Sequence, residues 1–218
     1  MIKYLVFLAF SAFLAGCGAV YSPSLHLPEK PLPKNDGQVT LGYGVMNDVN
    51  GPGSIHNDGT DLQLRYGFSD RFSLSVKGWS SSTLISQGFY NGGFLTNAVI
   101  ALNDKDESTN FAIIPTWNLL FDNSGVSASG ASVQGAVWLP TVDKLRMYIA
   151  SGPGFIANDF DEDEWGYGLI SNAGLTFDLQ NDLFLNGEVS TMLAHKVSTN
   201  ENYLSLGVML GMSWNFHN

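Results

Sequence analysis

At 218 residues the chain has room for one domain, and 24 glycines with 12% aromatic residues in a background only 14% charged favour an all-β fold over a helical one. The formal net charge of −10 excludes nucleic acid and anionic membrane surfaces as electrostatic partners. A single cysteine, Cys17, excludes an internal disulfide framework.

The first residues read as a leader rather than as part of the fold. Lys3 is followed by an apolar run over residues 4–14, interrupted only by Ser11, and then by small residues. That is the pattern of a secretory signal peptide over residues 1–16, too short for a spanning helix. Leu14, Ala15, Gly16 and Cys17 together resemble the lipobox of bacterial lipoproteins, which implies cleavage before Cys17 and acylation of that residue. Gly18 stands where such lipoproteins carry an Asp for inner-membrane retention, so the resemblance implies delivery to the outer membrane. Residues 17–37, with Pro23, Pro28, Pro31 and Pro33 and no periodicity, read as an extended tether.

From residue 38 onward the apolar residues recur with period two, the signature of strands exposed differently on their two faces. The first strand is predicted over 38–46, with Val39, Leu41, Tyr43 and Val45 on its apolar face. The second, 61–68, and the third, 71–79, form a hairpin about a tight turn at Ser69 and Asp70. The fourth is predicted over 94–103 and the fifth over 110–121, where Pro115 removes a ladder donor and predicts a bulge. A loop over 122–130 precedes the sixth strand, 131–139. In the seventh, 145–155, Gly152, Pro153 and Gly154 leave only the near half well patterned. The eighth, 167–179, and ninth, 183–194, are joined by a short turn at 180–182. The last strand, 204–216, alternates Leu204, Leu206, Val208, Leu210, Met212, Trp214 and Phe216 with small or polar residues.

Alternation alone does not say which face meets water. The face opposite the apolar one is built of Gly, Ser, Asn, Ala and Thr with few charges, which suits a crowded lumen better than bulk solvent. The predicted apolar faces carry no Asp, Glu, Lys or Arg, and aromatic residues such as Phe68, Phe72, Phe94, Phe121, Tyr167, Trp214 and Phe216 fall at strand ends. Short turns alternate with longer loops, and both ends of the strand series lie on the short-turn side. Residues 38–218 therefore resemble the bacterial outer-membrane β-barrels, and the last strand resembles their C-terminal assembly signal, although His217 and Asn218 follow Phe216 here. The predicted fold is an antiparallel up-and-down transmembrane barrel of about ten strands, or eight if the segments bearing Pro115 and Pro153 fail to pair. The resemblance implies an outer-membrane address and, as partners, outer-membrane lipid, lipopolysaccharide and the barrel-assembly machinery.

Candidate site residues follow from the phase of each strand. Gln63, Arg65, Lys77, Gln134, Arg146, Asn172, Asp178, Glu188 and Ser190 are predicted to face inward. Charges enclosed by a barrel wall must pair or stay wet, so Arg65, Lys77, Arg146 and Glu188 are the predicted lumen network. Asp159, Asp161, Glu162, Asp163 and Glu164 form an acidic loop able to take a divalent ion or an external ligand, but without an EF-hand pattern. His195, read on the inward phase with Glu188 and Ser190, invites a rim-sited hydrolase, yet it is about 23 Å from Glu188 along an extended strand. The other histidines, His26, His56 and His217, have no zinc-ligand spacing, and no cofactor motif is present. The sequence predicts a non-enzymatic barrel lipoprotein that is structural, binds at the surface or forms a narrow channel. A lipid-anchored soluble barrel holding a small apolar ligand is the alternative, with the rim hydrolase behind it.

Overall fold

The computed structural model describes residues 31–48, 56–82, 92–103, 109–122, 125–142, 144–158, 165–180, 182–197 and 199–217. The leader, Cys17 and the acidic residues Asp159, Asp161, Glu162, Asp163 and Glu164 lie outside them. Ten strands are described: β1 Gly37–Asp48, β2 His56–Ser69, β3 Phe72–Ser82, β4 Gly92–Ala101, β5 Asn110–Asp122, β6 Gly125–Val142, β7 Leu145–Asn158, β8 Trp165–Gln180, β9 Leu183–Lys196 and β10 Glu201–Phe216. Each pairs antiparallel with its sequence neighbours, and β1 pairs with β10 from Gly37↔Phe216 to Asp48↔Ser205, closing the barrel. Closure leaves no edge strand, as a sheet surrounded by hydrocarbon requires.

Three local expectations are corrected. No bulge forms at Pro115: the β4–β5 register is the same at Asn97↔Thr116 and Ile100↔Ile113, while Pro115 pairs normally with Val133 of β6. The missing N–H simply faces β4, so pairing lapses there without a shift. Pro153 behaves alike: its ladder to Leu169 of β8 is kept and the pairs to β6 lapse between Ser132↔Gly154 and Gly135↔Ser151, so β7 is a strand along its whole length. The predicted loop over 122–130 is mostly strand, because β6 starts at Gly125. Its first residues, Gly, Val, Ser, Ala, Ser and Gly, lack the large apolar side chains that reveal alternation.

The apolar faces point outward. Leu64, Val76, Ile113, Val133, Ile149, Leu175, Val189 and Leu210 are all exposed, in a belt that runs around the barrel. So broad an apolar surface is untenable in water, where monomers rarely expose more than a few hundred Å² contiguously, and is what a bilayer requires. The soluble alternative, with this face turned inward on a ligand, is therefore wrong. Aromatic pairs border the belt at both ends: Phe68 with Phe72 at 5.8 Å and Trp214 with Phe216 at 6.4 Å by the short turns, Phe94 with Phe121 at 5.7 Å by the long loops.

The end of the predicted tether is part of the fold. Leu32 is completely buried, and the backbone of Leu32 and Pro33 fills the space in front of Gly67, which lies on the inward phase of β2. Asn35 N–H donates to the Gly67 carbonyl at 2.8 Å, and Gly67 N–H donates to that of Asp36 at 2.9 Å. Residues 31–36 thus turn across the short-turn mouth rather than trailing from it.

His217 fastens this base. Its Nδ1 lies 2.8 Å from Asp36 Oδ2 and its Nε2 3.2 Å from Asp182 Oδ1, so the imidazolium donates to a carboxylate on each side. The bonds to Asp182 and Asp36 raise its pKa above the ordinary 6.5. A raised pKa stabilises the fold fully below the unfolded value and loses that contribution as pH rises through the folded one. The urea midpoint of the barrel is therefore expected to fall as pH rises from about 6.5. His217→Gln is expected to flatten that slope, and identical slopes for the two proteins would refute the latch.

Candidate functional site

Inward-facing residues meet in three ways inside the barrel. Near the short turns neutral side chains form a hydrogen-bonded belt: Thr176 Oγ1 donates to Asn186 Oδ1 at 3.2 Å, Asn186 Nδ2 to Ser213 Oγ at 2.5 Å, and Ser213 shares a 2.7 Å bond with Thr40. Gln38 Nε2 donates to Asn215 Oδ1 at 2.6 Å on the same wall. These bonds tie β8, β9, β10 and β1 across the closing seam.

The next layer carries charge. Glu188, buried on β9, accepts from the Tyr148 hydroxyl through Oε2 and from Asn172 Nδ2 at 2.9 Å through Oε1. Tyr148 reaches it from β7 by lying over Gly174 of β8, where any Cβ would overlap the ring. Lys77, 0% exposed on β3, interacts electrostatically with the carboxylates of Asp61 and Glu188. Lys77 thus offsets part of the charge of the two carboxylates across the lumen, which lowers the cost of burying them. A third set crosses β2–β4: Arg65 Nε donates to Ser73 Oγ at 3.1 Å, Gln63 Nε2 to Ser75 Oγ at 3.0 Å, and Ser75 Oγ to Asn97 Oδ1 at 2.8 Å.

The lumen is not uniformly small and polar, as the sequence suggested. Val99, Ala112, Ile114, Ala136, Trp138, Tyr148 and Ala150 form an apolar cluster on β4–β7, with Trp138 and Tyr148 ring centroids 6.1 Å apart. Trp79, Leu120 and Ala128 form a smaller one nearer the long loops. On these strands both faces carry large apolar residues.

Of the predicted network, the structure brings Lys77 and Glu188 together. Arg65 lies with Ser73 on β2–β3. Arg146 sits one register row nearer the short turns than Tyr148, its guanidinium 5.2 Å from the Phe184 ring centroid. Two members went unread: Asp61, two positions before Gln63 on one inward face, and Tyr148, two after Arg146. Extending either phase by one step would have found them. His195 was assigned to the wrong face. It differs from Glu188 by an odd number of residues, so period two puts it outside, where its ring stacks on Tyr167 at 5.2 Å and its Nδ1 meets Asn202 Oδ1 at 3.0 Å.

No protein-family model matches the sequence, and no curated protein matches it. Among solved structures the barrel is similar to Ail, the attachment invasion locus protein of Yersinia pestis, with 14% identity over 84% of this chain and 99% of that one and a TM-score of 0.40. It is similar to the outer membrane protein OprG from Pseudomonas aeruginosa at 11% identity over 87% and 100%, TM-score 0.41. The outer membrane protease OmpT from Escherichia coli matches at 7% identity over 84% and 97%, TM-score 0.43. At such identities none of their activities transfers. The protein's own geometry, apolar where lipid must lie, with its charges inside the wall or at the rims, is that of a bacterial outer-membrane β-barrel.

Proposed function

We propose that the protein is a lipid-tethered outer-membrane barrel, without catalytic activity, whose lumen does not pass ions and whose rigid wall carries its surface loops. The observation that carries this reading is the charged layer: buried Lys77 interacts with the carboxylates of Asp61 and Glu188 inside the barrel, and Tyr148 and Asn172 donate to Glu188. An ion entering this layer would have to separate groups that are already paired and out of water. Leu32, buried at the short-turn mouth, adds an apolar stop below it. The outward position of His195 speaks against a rim triad with Glu188 and Ser190. Acylation at Cys17 places the lipid and the docked segment 31–36 at the same face of the membrane. Lipid and lipopolysaccharide contact the belt and rim, and the assembly machinery inserts the barrel.

The full-length protein in planar bilayers is expected to show no discrete conductance steps in potassium chloride, and steady steps from the wild type would overturn the closed-lumen reading. Metabolic palmitate labelling that survives Cys17→Ser would overturn the tether.

A further inference from the structure

Residues 31–36 cross the short-turn mouth without joining the sheet, and the contacts that keep them there are few. Leu32 is completely buried, and a Cβ at Gly67 would overlap the carbonyl oxygens of Leu32 and Pro33. Gly67 does not have a positive φ, so β2 itself does not demand glycine at this position; the segment docked on it does. Asn35 turns the segment through a φ of 69°, in the left-handed region that Asn tolerates. Its N–H donates to the Gly67 carbonyl and Gly67 N–H to that of Asp36, at 2.8 and 2.9 Å. The Tyr66 hydroxyl to Asn35 Oδ1 at 3.4 Å and Lys34 N–H to Asp70 Oδ1 at 3.3 Å are longer and weaker.

The remaining hold comes from the far end of the chain. His217 bonds Asp36 of the segment on one side and Asp182, in the turn between β8 and β9, on the other. These two carboxylates are the charged groups that act on it. Asp182 is itself fixed, since its carbonyl accepts the Asn215 N–H at 2.9 Å. An imidazolium donates in both directions at once. A neutral imidazole has one N–H, so it turns a lone pair toward the other carboxylate and carries no charge to attract either.

We propose that residues 31–36 form a releasable strap, seated on Gly67 and locked by His217, which leaves the short-turn mouth when the imidazolium gives up its proton. The bonds to Asp182 and Asp36 hold the His217 pKa above 6.5, so the lock is closed at pH 6 and is lost as pH rises through the raised value. Release bares the mouth around Gly67 and frees a segment that reaches about 20 Å when extended. The inference goes beyond a closed barrel and does not rest on closure, because the charged layer around Glu188 is built from other residues.

The test is trypsin cleavage after Lys34 in the folded full-length protein in detergent, divided by the rate on a short lysyl peptide at the same pH. Lys34 is exposed, but Leu32 and Asp36 on either side of it are buried, so a protease cleft that must take several extended residues acts on the released strap. Lys30 precedes Pro31 and is not a competing site. The normalised rate is expected to rise at least fivefold from pH 6 to pH 8.5, while Arg65 and Lys77, buried in the wall, stay uncut. His217→Gln, which has no proton to lose in this range, is expected to give rates within twofold of each other at the two pH values. Gly67→Ala fills the seat and is expected to be cut at least tenfold faster than the wild type at pH 6, with folding checked by heat-modifiable migration on a gel. If that variant does not fold, Leu32→Ala is measured in its place and is expected to be cut at least threefold faster. A wild-type rate that does not change with pH, the same rise in His217→Gln, an unaltered rate in a folded seat variant, or a rise accompanied by cleavage at Arg65 and Lys77 would each overturn the proposal.

Discussion

Glu188→Ala is expected to destabilise the barrel by about 3–5 kcal/mol, the usual cost of removing one partner from a buried ionic group. The substitution leaves three groups in deficit. The Tyr148 hydroxyl and Asn172 Nδ2 lose their acceptor, and Lys77 keeps Asp61 but loses the second carboxylate that compensates its charge. Water that enters the void will satisfy part of this, which places the lower end of the range at the more hydrated outcome. Glu188→Gln tests the cause: it retains an acceptor for Tyr148 or Asn172 but not the charge, so it should fall between the wild type and Ala. Tyr148→Phe removes one hydrogen bond to Glu188, for about 1–3 kcal/mol. The measurement is the urea midpoint of barrels refolded into lipid vesicles. An Ala variant within about 0.5 kcal/mol of the wild type, the range of inert surface substitutions, would mean that the layer does not hold the lumen together.

What the sequence revealed and what it hid follow from one physical difference. The outer face must be apolar at nearly every position, so strands such as β10 and β3 declared themselves by alternation, and closure followed from the parity of turns and loops. The inner face answers to its neighbours across the lumen, which no single strand records. Inward Leu95, Ile114 and Trp138 stand beside outward Phe94, Ile113 and Leu139, so β4–β6 looked less ordered than they are. The β6 start was missed because between Gly125 and Gly130 only Val126 carries a sizeable apolar side chain, too little to show alternation. Pro115 and Pro153 looked like interruptions because a sequence does not say which neighbouring strand a missing N–H would have faced. His195 is different: its parity was available from the numbering alone, and the error lay in grouping it by chemistry with Glu188 and Ser190. Lys77 and Glu188 come from strands far apart in the chain, and only closure of β1 on β10 lets their separation be judged.

The outward face makes a prediction that an aqueous barrel would not share. Leu210, near the middle of β10 and 62% exposed, pairs with Tyr43 of β1 and Gly187 of β9. Its Cδ2 approaches to 3.7 Å of the point a Cβ on Gly187 would occupy, so the side chain lies along the outer wall and inserts into nothing. Leu210→Arg is expected to destabilise the protein by about 2–4 kcal/mol in vesicles, because a guanidinium at mid-membrane must deform the bilayer or reach for an interface. The same change at an exposed aqueous site is worth within about 0.5 kcal/mol. Depth supplies the control. Trp214→Arg stands on the same face but near the short-turn end, beside Phe216, and its electrostatic component should fall to about 0–1 kcal/mol as the charge nears the headgroups. A Leu210→Arg barrel as stable as the wild type would place β10 in water rather than in lipid. A large loss at Leu210 that diminishes toward Trp214 would instead trace the hydrocarbon boundary along the strand, and show that the thirteen-residue alternation from Leu204 to Phe216 is a record of membrane depth as well as of which way each side chain faces.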